Sequence, residues 1–491
     1  MIAGDYPAMC KALLDNVPFA GVSPVGSPDG SPFDAGPLAA VVRSHQARLP
    51  EPYRTSYAAP LLAALPDVVV QLRQQFERSL AAGASSEAAM SEARAYADTL
   101  VGAVRDWGID AYHAPLTRFE AVVSNLYRSF LGEQQRAHIS IPLIETLPPL
   151  VTFAPAPDHG PFTLPADRVR GLTGATIGVV SLPACYAQHP LLWAALAHET
   201  GGHDVMHADP GLLEQLTAGV LQLDGIPPAL RQVWATWIEE IASDVYGILN
   251  IGPIYAASLA AFFAALESSR AAARGDSPPA LGAVNTILAV SPRGLRDAHP
   301  VDLLRLHAAM GVVDALTTLS PPRRAGWLAL LTTIATTASA GATTIDAYDA
   351  DTRSVVQHLP LATMTSSARA VGRYIATARL PALGGHSIQD IETWDDADDS
   401  AAGNIAAAAP TSPITAMGDD AQLLAGAVLA LLTTPSAYAP ITAQLTAALD
   451  DSFTRDPIFG TAMPSSALAL IPRASALSRT PASPTFPLPL D

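Results

Sequence analysis

Lysine is almost absent from this chain. Among 28 basic residues only Lys11 is a lysine, and 45 acids bring the formal net charge to 28 − 45 = −17. A basic face able to neutralise phosphates is missing, which excludes a general nucleic-acid-binding role. The excess of arginine, alanine and proline reads as genomic composition bias. There are two cysteines, Cys10 and Cys185, too few for a disulfide scaffold. Aromatics reach only 6% while apolar residues reach 49%. Alanine, the best helix former, supplies much of that apolar material, so close-packed helices are expected rather than a sandwich or barrel. No long hydrophobic run stands out. The longest, 254–266, falls short of the roughly 20 residues that span a bilayer, so no membrane partner is expected. The N-terminus lacks a basic segment followed by an apolar run, and a cytoplasmic location follows as the default.

At about 150 residues per domain, 491 residues suggest about three units. The first, 1–137, reads as helices separated by Pro and Gly, clearest at 61–82 and at 86–107, with another at 115–135. The stretch beginning Ser85-Ser86-Glu87 has a helix cap and an acid in its first turn. The second unit, 138–316, opens with a Pro-rich stretch suited to short edge strands. The strand TIGVVSL follows at 176–182, then helices at 191–208, 229–249, 255–274 and 301–316. The third unit, 317–491, is expected to be helical over 323–379, with a small-residue interruption at 338–344. It continues with an acidic loop at 384–415, a helical pair at 420–432 and 441–449, and a Pro-rich tail at 472–491. The acidic run 395–399 lacks the glycine and terminal glutamate of a calcium loop and reads as solvated.

The chemistry sits in His198-Glu199-Thr200-Gly201-Gly202-His203. A helix carrying His-Glu and then His is how zincin metallopeptidases present two zinc ligands and a general base. The histidines usually lie four apart; here they lie five apart. At about 3.6 residues per turn, five steps rotate about 500°, which leaves the rings about 140° out of line. A π-bulge absorbs the extra residue, and the glycine pair tolerates it. A third ligand is expected on a later helix. Glu240 and Asp244 share a face of the segment 237–247. His198, His203 and Glu240 would give Zn²⁺ three protein ligands and leave one position for water. Asp244 would accept the free ring N–H of a histidine ligand, and Glu199 would take the proton of the water.

HETGGH followed by EEIASD resembles the paired motifs of the dipeptidyl peptidase III family, and EEIASDVYG is similar to the third-ligand helix of thermolysin-like gluzincins. The resemblance covers about 50 residues and implies a gluzincin-type site with His198, His203 and Glu240 as ligands and Glu199 as base. Downstream, His299-Pro300 followed by Arg305 is similar to a segment that comes after the third ligand in other zincins. It implies that His299 or Arg305 stabilises the oxyanion or holds the substrate, with Tyr246 and Tyr255 as rival donors. The strand TIGVVSL fits the zincin edge strand that pairs with an extended peptide.

Other readings stay open. His203 and His207 form an i, i+4 pair with Asp204 as a rival base; otherwise His207 is a helix-terminal cation. Trp234 and Trp237 read as core. The expected protein is mainly α, with a zincin-like catalytic core, a small strand-containing lobe and flanking helical regions. Its expected function is that of a zinc metallopeptidase acting on a peptide or protein. The alternatives are a zincin-like binding or scaffold protein, and a metal-dependent hydrolase of a non-peptide amide or ester.

Overall fold

The computed structural model describes residues 4–19, 31–131, 147–154, 161–175, 177–208, 211–291, 294–295, 299–350, 352 and 354–455. The Pro-rich tail expected at 472–491 lies outside them. Helix accounts for 70% and strand for 8%, so the fold is mainly α, as the alanine content requires.

The helices expected at 61–82 and 86–107 are Ala59–Ala81 and Ser86–Arg105. Ser85 caps the second by accepting from Ala88 N, which satisfies one of the four orphan donors of a helix start. The first continues a segment, Glu51–Ala81, that is long and apolar enough to cross a membrane by length and composition alone. The stretch 254–266 is therefore not the most span-like one. Leu61, Leu65, Val68, Val69 and Leu72 of the longer segment are buried, and it packs against Ser86–Arg105.

Three strands form the first sheet: β1 (Leu150–Ala154), β2 (Phe162–Leu164) and β3 (Val179–Pro183), in the order β1-β3-β2. β1 runs parallel to β3 and β2 antiparallel to it. The Pro-rich stretch thus does supply edge strands, β1 and β2. The TIGVVSL strand, expected at an edge, is central instead: β3 is paired on both sides and has no free side to offer a peptide. Helix Ala166–Thr173 joins β2 to β3 and closes on Gly174 at φ 80°, a left-handed conformation that glycine adopts without strain.

A second sheet was not expected. The hairpin β4 (Ile287–Ser291) and β5 (Gly294–Leu295) joins β6 (Thr344–Asp349) and β7 (Val355–Pro360) in the order β5-β4-β6-β7. It interrupts the helical region expected over 323–379, leaving Pro321–Ala338 and Leu361–Thr377 as helices. In β6 only Ile345 and Ala347 are buried, so the alternation is real but too short to stand out.

The acidic loop expected at 384–415 is also corrected, because it contains the helix Asp396–Ala408. Asp395 accepts from Ala397 N and Asp398 N, and Asp398 reaches back to the cap in a capping box. Three acids in the first turn suit the positive end of the helix dipole. Asp399 is an anchor rather than a solvated charge: it takes the Trp327 indole N–H at 2.7 Å and pairs with Arg323.

At the centre runs Ile238–Ile251, buried from Ile241 to Ile251, with Ile254–Arg274, Asp302–Ala315 and Leu361–Thr377 packed on it. A polar side chain on such a helix must find a partner.

Candidate metal centre

The approach to the site is irregular. The regular helix expected over 191–208 is replaced by a 3₁₀ turn, Pro190–Leu192, and further turns, pinned by the Trp193 indole donating to the Tyr186 carbonyl at 3.0 Å. Then His198–His203 forms a π-helix, and Asp204–Ala208 returns to α. In π geometry residues five apart stack, so the two imidazoles meet. Their planes stand at 88°, and their Nε2 atoms are 3.0 Å apart.

The stretch expected as one helix over 229–249 is two, Pro228–Thr236 and Ile238–Ile251, broken at Trp237. The break puts Glu239 and Glu240 in the first turn of a new helix, a position favourable to acids. Trp234 and Trp237 are fully buried core residues, as expected.

Gly202 faces this helix. A Cβ there would lie 2.5 Å from Ser243 Cβ and 2.6 Å from Ser243 Cα. The absent side chain lets the two ligand-bearing segments touch.

Each histidine has its Nδ1 on a carboxylate: His198 on Asp244 Oδ1 at 3.0 Å, His203 on Glu239 Oε1 at 2.9 Å. With the ring protons on Nδ1, toward those carboxylates, both Nε2 lone pairs face one point. Glu240 faces the same point, with Oε2 3.2 Å from His198 Nε2 and Oε1 3.6 Å from His203 Nε2. Glu240 Oε2 is buried without a hydrogen-bond partner. Among the described residues, one ligand atom from each of His198, Glu199 and His203 lies within 4.8 Å of the others. Two lone pairs and carboxylate oxygens this close repel unless a cation or proton lies between them. Imidazoles bound to one tetrahedral Zn²⁺ place their nitrogens about 3.3 Å apart, near the 3.0 Å found. The donor set fits a divalent ion.

The surrounding carboxylates draw positive charge to this point, as protons on the rings when no ion is there. Burial and Arg305 oppose charging His198, yet Asp244 and Glu240 hold its pKa up at about 9. Burial works against His203 too, and Glu239 and Glu240 overcome it, so its pKa is raised. Burial disfavours ionised Glu240, but His299, His198 and His203 hold it well below the usual carboxylate range.

Asp244 lies where expected, on His198, and is itself gripped. Burial would raise its pKa, but Arg305 and then His198 pull it to about 2. The Tyr255 hydroxyl donates to its Oδ1 at 2.8 Å.

Glu199 is buried, and the Thr163 hydroxyl of β2 contacts both its carbonyl, at 2.8 Å, and its Oε2, at 3.0 Å. His299 sits at the rim, 63% exposed, with Nε2 3.6 Å from Glu240 Oε1.

Two expected substrate contacts are elsewhere. Arg305 is 4% exposed, and its guanidinium is engaged with Asp244 and stacked on Phe263, so it faces the interior rather than a substrate. Tyr246 is fully buried, and its hydroxyl donates to the Leu126 carbonyl at 3.0 Å. Its position in the buried part of the helix, 241–251, turns it away. Tyr255 likewise serves Asp244.

His207 is no rival ligand. Its Nε2 is 3.0 Å from Glu239 Oε1 and its Nδ1 is 3.4 Å from Asp167 Oδ2. Burial opposes its charge, but Asp167 and Glu239 push its pKa up to about 10. The side chain of Asp204, the rival base, lies outside the described residues.

Sequence reasoning missed Glu239, Thr163 and Asp167. Glu239 carried a usable signal: it adjoins Glu240 in the first turn of the same helix. Thr163 and Asp167 carried none, because the fold alone brings them to the metal segment. Comparisons of the chain with known protein families, with curated proteins and with solved structures find no match, so the likeness to the gluzincins stands on its two motifs.

Proposed function

We propose that this protein is a zinc-dependent hydrolase of the metallopeptidase kind, with a gluzincin-type site in a zincin-like core. The observation that carries the reading is the convergence of His198 Nε2, His203 Nε2 and the buried, unbonded Glu240 Oε2. In this reading those three residues hold the ion, and Glu199 is the base. When bound, the ion supplies a Lewis acid that lowers the pKa of a coordinated water to about 7. Glu199 takes the proton of the attacking water and passes it to the leaving amine as the C–N bond breaks. The Thr163 hydroxyl steadies Glu199 for that transfer. His299, at the exposed rim, donates to the developing oxyanion. The substrate is a peptide or protein, and the location is the cytoplasm.

Metal analysis combined with Glu199→Gln tests the proposal. One zinc per chain is expected in both proteins, with peptide-library hydrolysis in the variant reduced by at least about 100-fold. A variant that keeps its zinc and full activity overturns Glu199 as the base. A variant that loses its zinc makes Glu199 a ligand instead. A natural chain that takes up no zinc removes the metal reading altogether.

A further inference from the structure

We infer that His207 and Asp167 are positioning residues for the metal centre, joined to it in the chain Asp167–His207–Glu239–His203. The inference rests on the metal reading above and extends it into the strand-containing lobe.

Glu239 Oε1 is shared by two histidines, 2.9 Å from His203 Nδ1 and 3.0 Å from His207 Nε2. These histidines lie four apart and straddle the change from π to α geometry. The far nitrogen of His207 faces Asp167 Oδ2 at 3.4 Å. Asp167 is in the first turn of Ala166–Thr173, the helix between β2 and β3. One imidazole therefore ties together the metal segment, the Glu239–Glu240 helix turn and the sheet lobe.

The ring cannot be a ligand in this arrangement, because its two nitrogens face carboxylates on opposite sides. Both act as donors, which makes the ring a cation between two acids. The two ligand histidines are thus supported unequally. The His198 support is interior: Asp244 is 1% exposed and is neutralised by Arg305, itself 4% exposed. The His203 support is near the surface, since the Glu239 side chain is 39% exposed. A half-exposed carboxylate wanders among rotamers unless something holds it. His207 fixes Glu239 so that its oxygen meets His203 Nδ1 and keeps the Nε2 lone pair on the ion. Partners of this kind are worth about 10- to 100-fold in metal affinity.

The experiment measures zinc affinity of the full chain by competition with a chromophoric chelator. It uses the natural protein, His207→Ala, Asp167→Asn and the double variant. His207→Ala is expected to weaken zinc binding by about 10- to 100-fold. Asp167→Asn is expected to weaken it in the same direction but less. The double variant should be no weaker than His207→Ala alone, because Asp167 acts only through His207. Loss of affinity within about threefold in His207→Ala overturns the inference, and so do fully additive losses, which mean two independent effects. If His207→Ala does not fold, Asp167→Asn, which preserves volume at a half-exposed position, decides: a several-fold loss supports the chain and an unchanged affinity overturns it. Failure of the natural protein to bind zinc is a separate result, which removes the metal reading itself.

Discussion

Arg305 grips Asp244 with two parallel bonds, Nε to Oδ2 at 2.7 Å and Nη2 to Oδ1 at 2.8 Å, while Nη1 lies 3.9 Å from Glu240 Oε2. All three side chains are buried or nearly so. A fork of this kind fixes the angle of a carboxylate as well as its charge. Asp244 can therefore orient His198 while His203 is held from another side.

Removing that arginine leaves Asp244 uncompensated in the interior. Arg305→Ala is expected to destabilise the metal-free protein by roughly 3–5 kcal/mol. Arg305→Lys, which keeps the charge and loses the fork, should recover part of this. Urea unfolding in the presence of a chelator measures both. A loss below about 1 kcal/mol for the alanine variant means that the pair behaves like a surface ion pair, and the account of Asp244 is wrong.

Gly202 predicts a steric effect at the site. Its missing Cβ would meet Ser243 Cβ at 2.5 Å, Cα at 2.6 Å and the carbonyl oxygen at 2.9 Å. Backbone atoms cannot rotate away, so Gly202→Ala must push the His203 segment off the Glu240 helix. Overpacking of this sort costs about 1–3 kcal/mol, and zinc affinity should fall with it. Adding Ser243→Gly removes only the Cβ contact and should restore part of both losses. Unchanged zinc affinity in Gly202→Ala sinks the close-approach explanation.

What was legible in the chain was local. The five-residue spacing of His198 and His203 demands a π turn, and a π turn is there. Glu240 and Asp244 share a helical face, and both reach the histidines. Alanine-rich segments make helices at nearly the expected boundaries, as at Asp420–Thr433. What was hidden depends on three-dimensional neighbours. Arg305 looks like an oxyanion or substrate contact until the interior it faces is known, and Tyr246 looks like a donor to substrate until its hydroxyl is found on the buried Leu126 carbonyl. The acids at 395–399 looked solvated because their partners, Arg323 and Trp327, lie more than 70 residues away. The β3 strand was recognised, but its central place depends on β2, a three-residue strand with no detectable period.

Thr163 offers a test of how Glu199 is held. Its hydroxyl shares one proton between the Glu199 carbonyl at 2.8 Å and the Glu199 carboxylate at 3.0 Å, and Val at the same position keeps the shape and strand preference. Thr163→Val should retain full zinc content and lose about 10-fold in kcat, the worth of one hydrogen bond, with KM little changed. A variant in which KM rises and kcat is preserved would place Thr163 in substrate binding instead.

Glu120 carries a pH dependence remote from the metal centre. It is fully buried, accepts from Val151 N at 3.1 Å, and faces the Tyr53 hydroxyl at 3.3 Å. That phenol is also 3.0 Å from the Pro148 carbonyl. With one proton the phenol serves one acceptor at a time, and a neutral Glu120 resolves the conflict by donating to it. Burial raises the carboxyl pKa well above its usual 4.5, more than the bonds from Val151 and Tyr53 lower it. The folded state therefore holds this proton more tightly than the unfolded chain does. Its contribution is complete below about pH 4.5 and is lost as pH rises towards the folded pKa, at up to about 1.4 kcal/mol per pH unit. Glu120→Gln, which has an acceptor for Val151 and a donor for Tyr53, lacks this titration. Its stability relative to the natural protein should rise steadily between pH 5 and pH 8 in urea unfolding. Parallel curves over that range mean that Glu120 is already ionised in the fold, and that the hydroxyl of Tyr53 points to it rather than to Pro148.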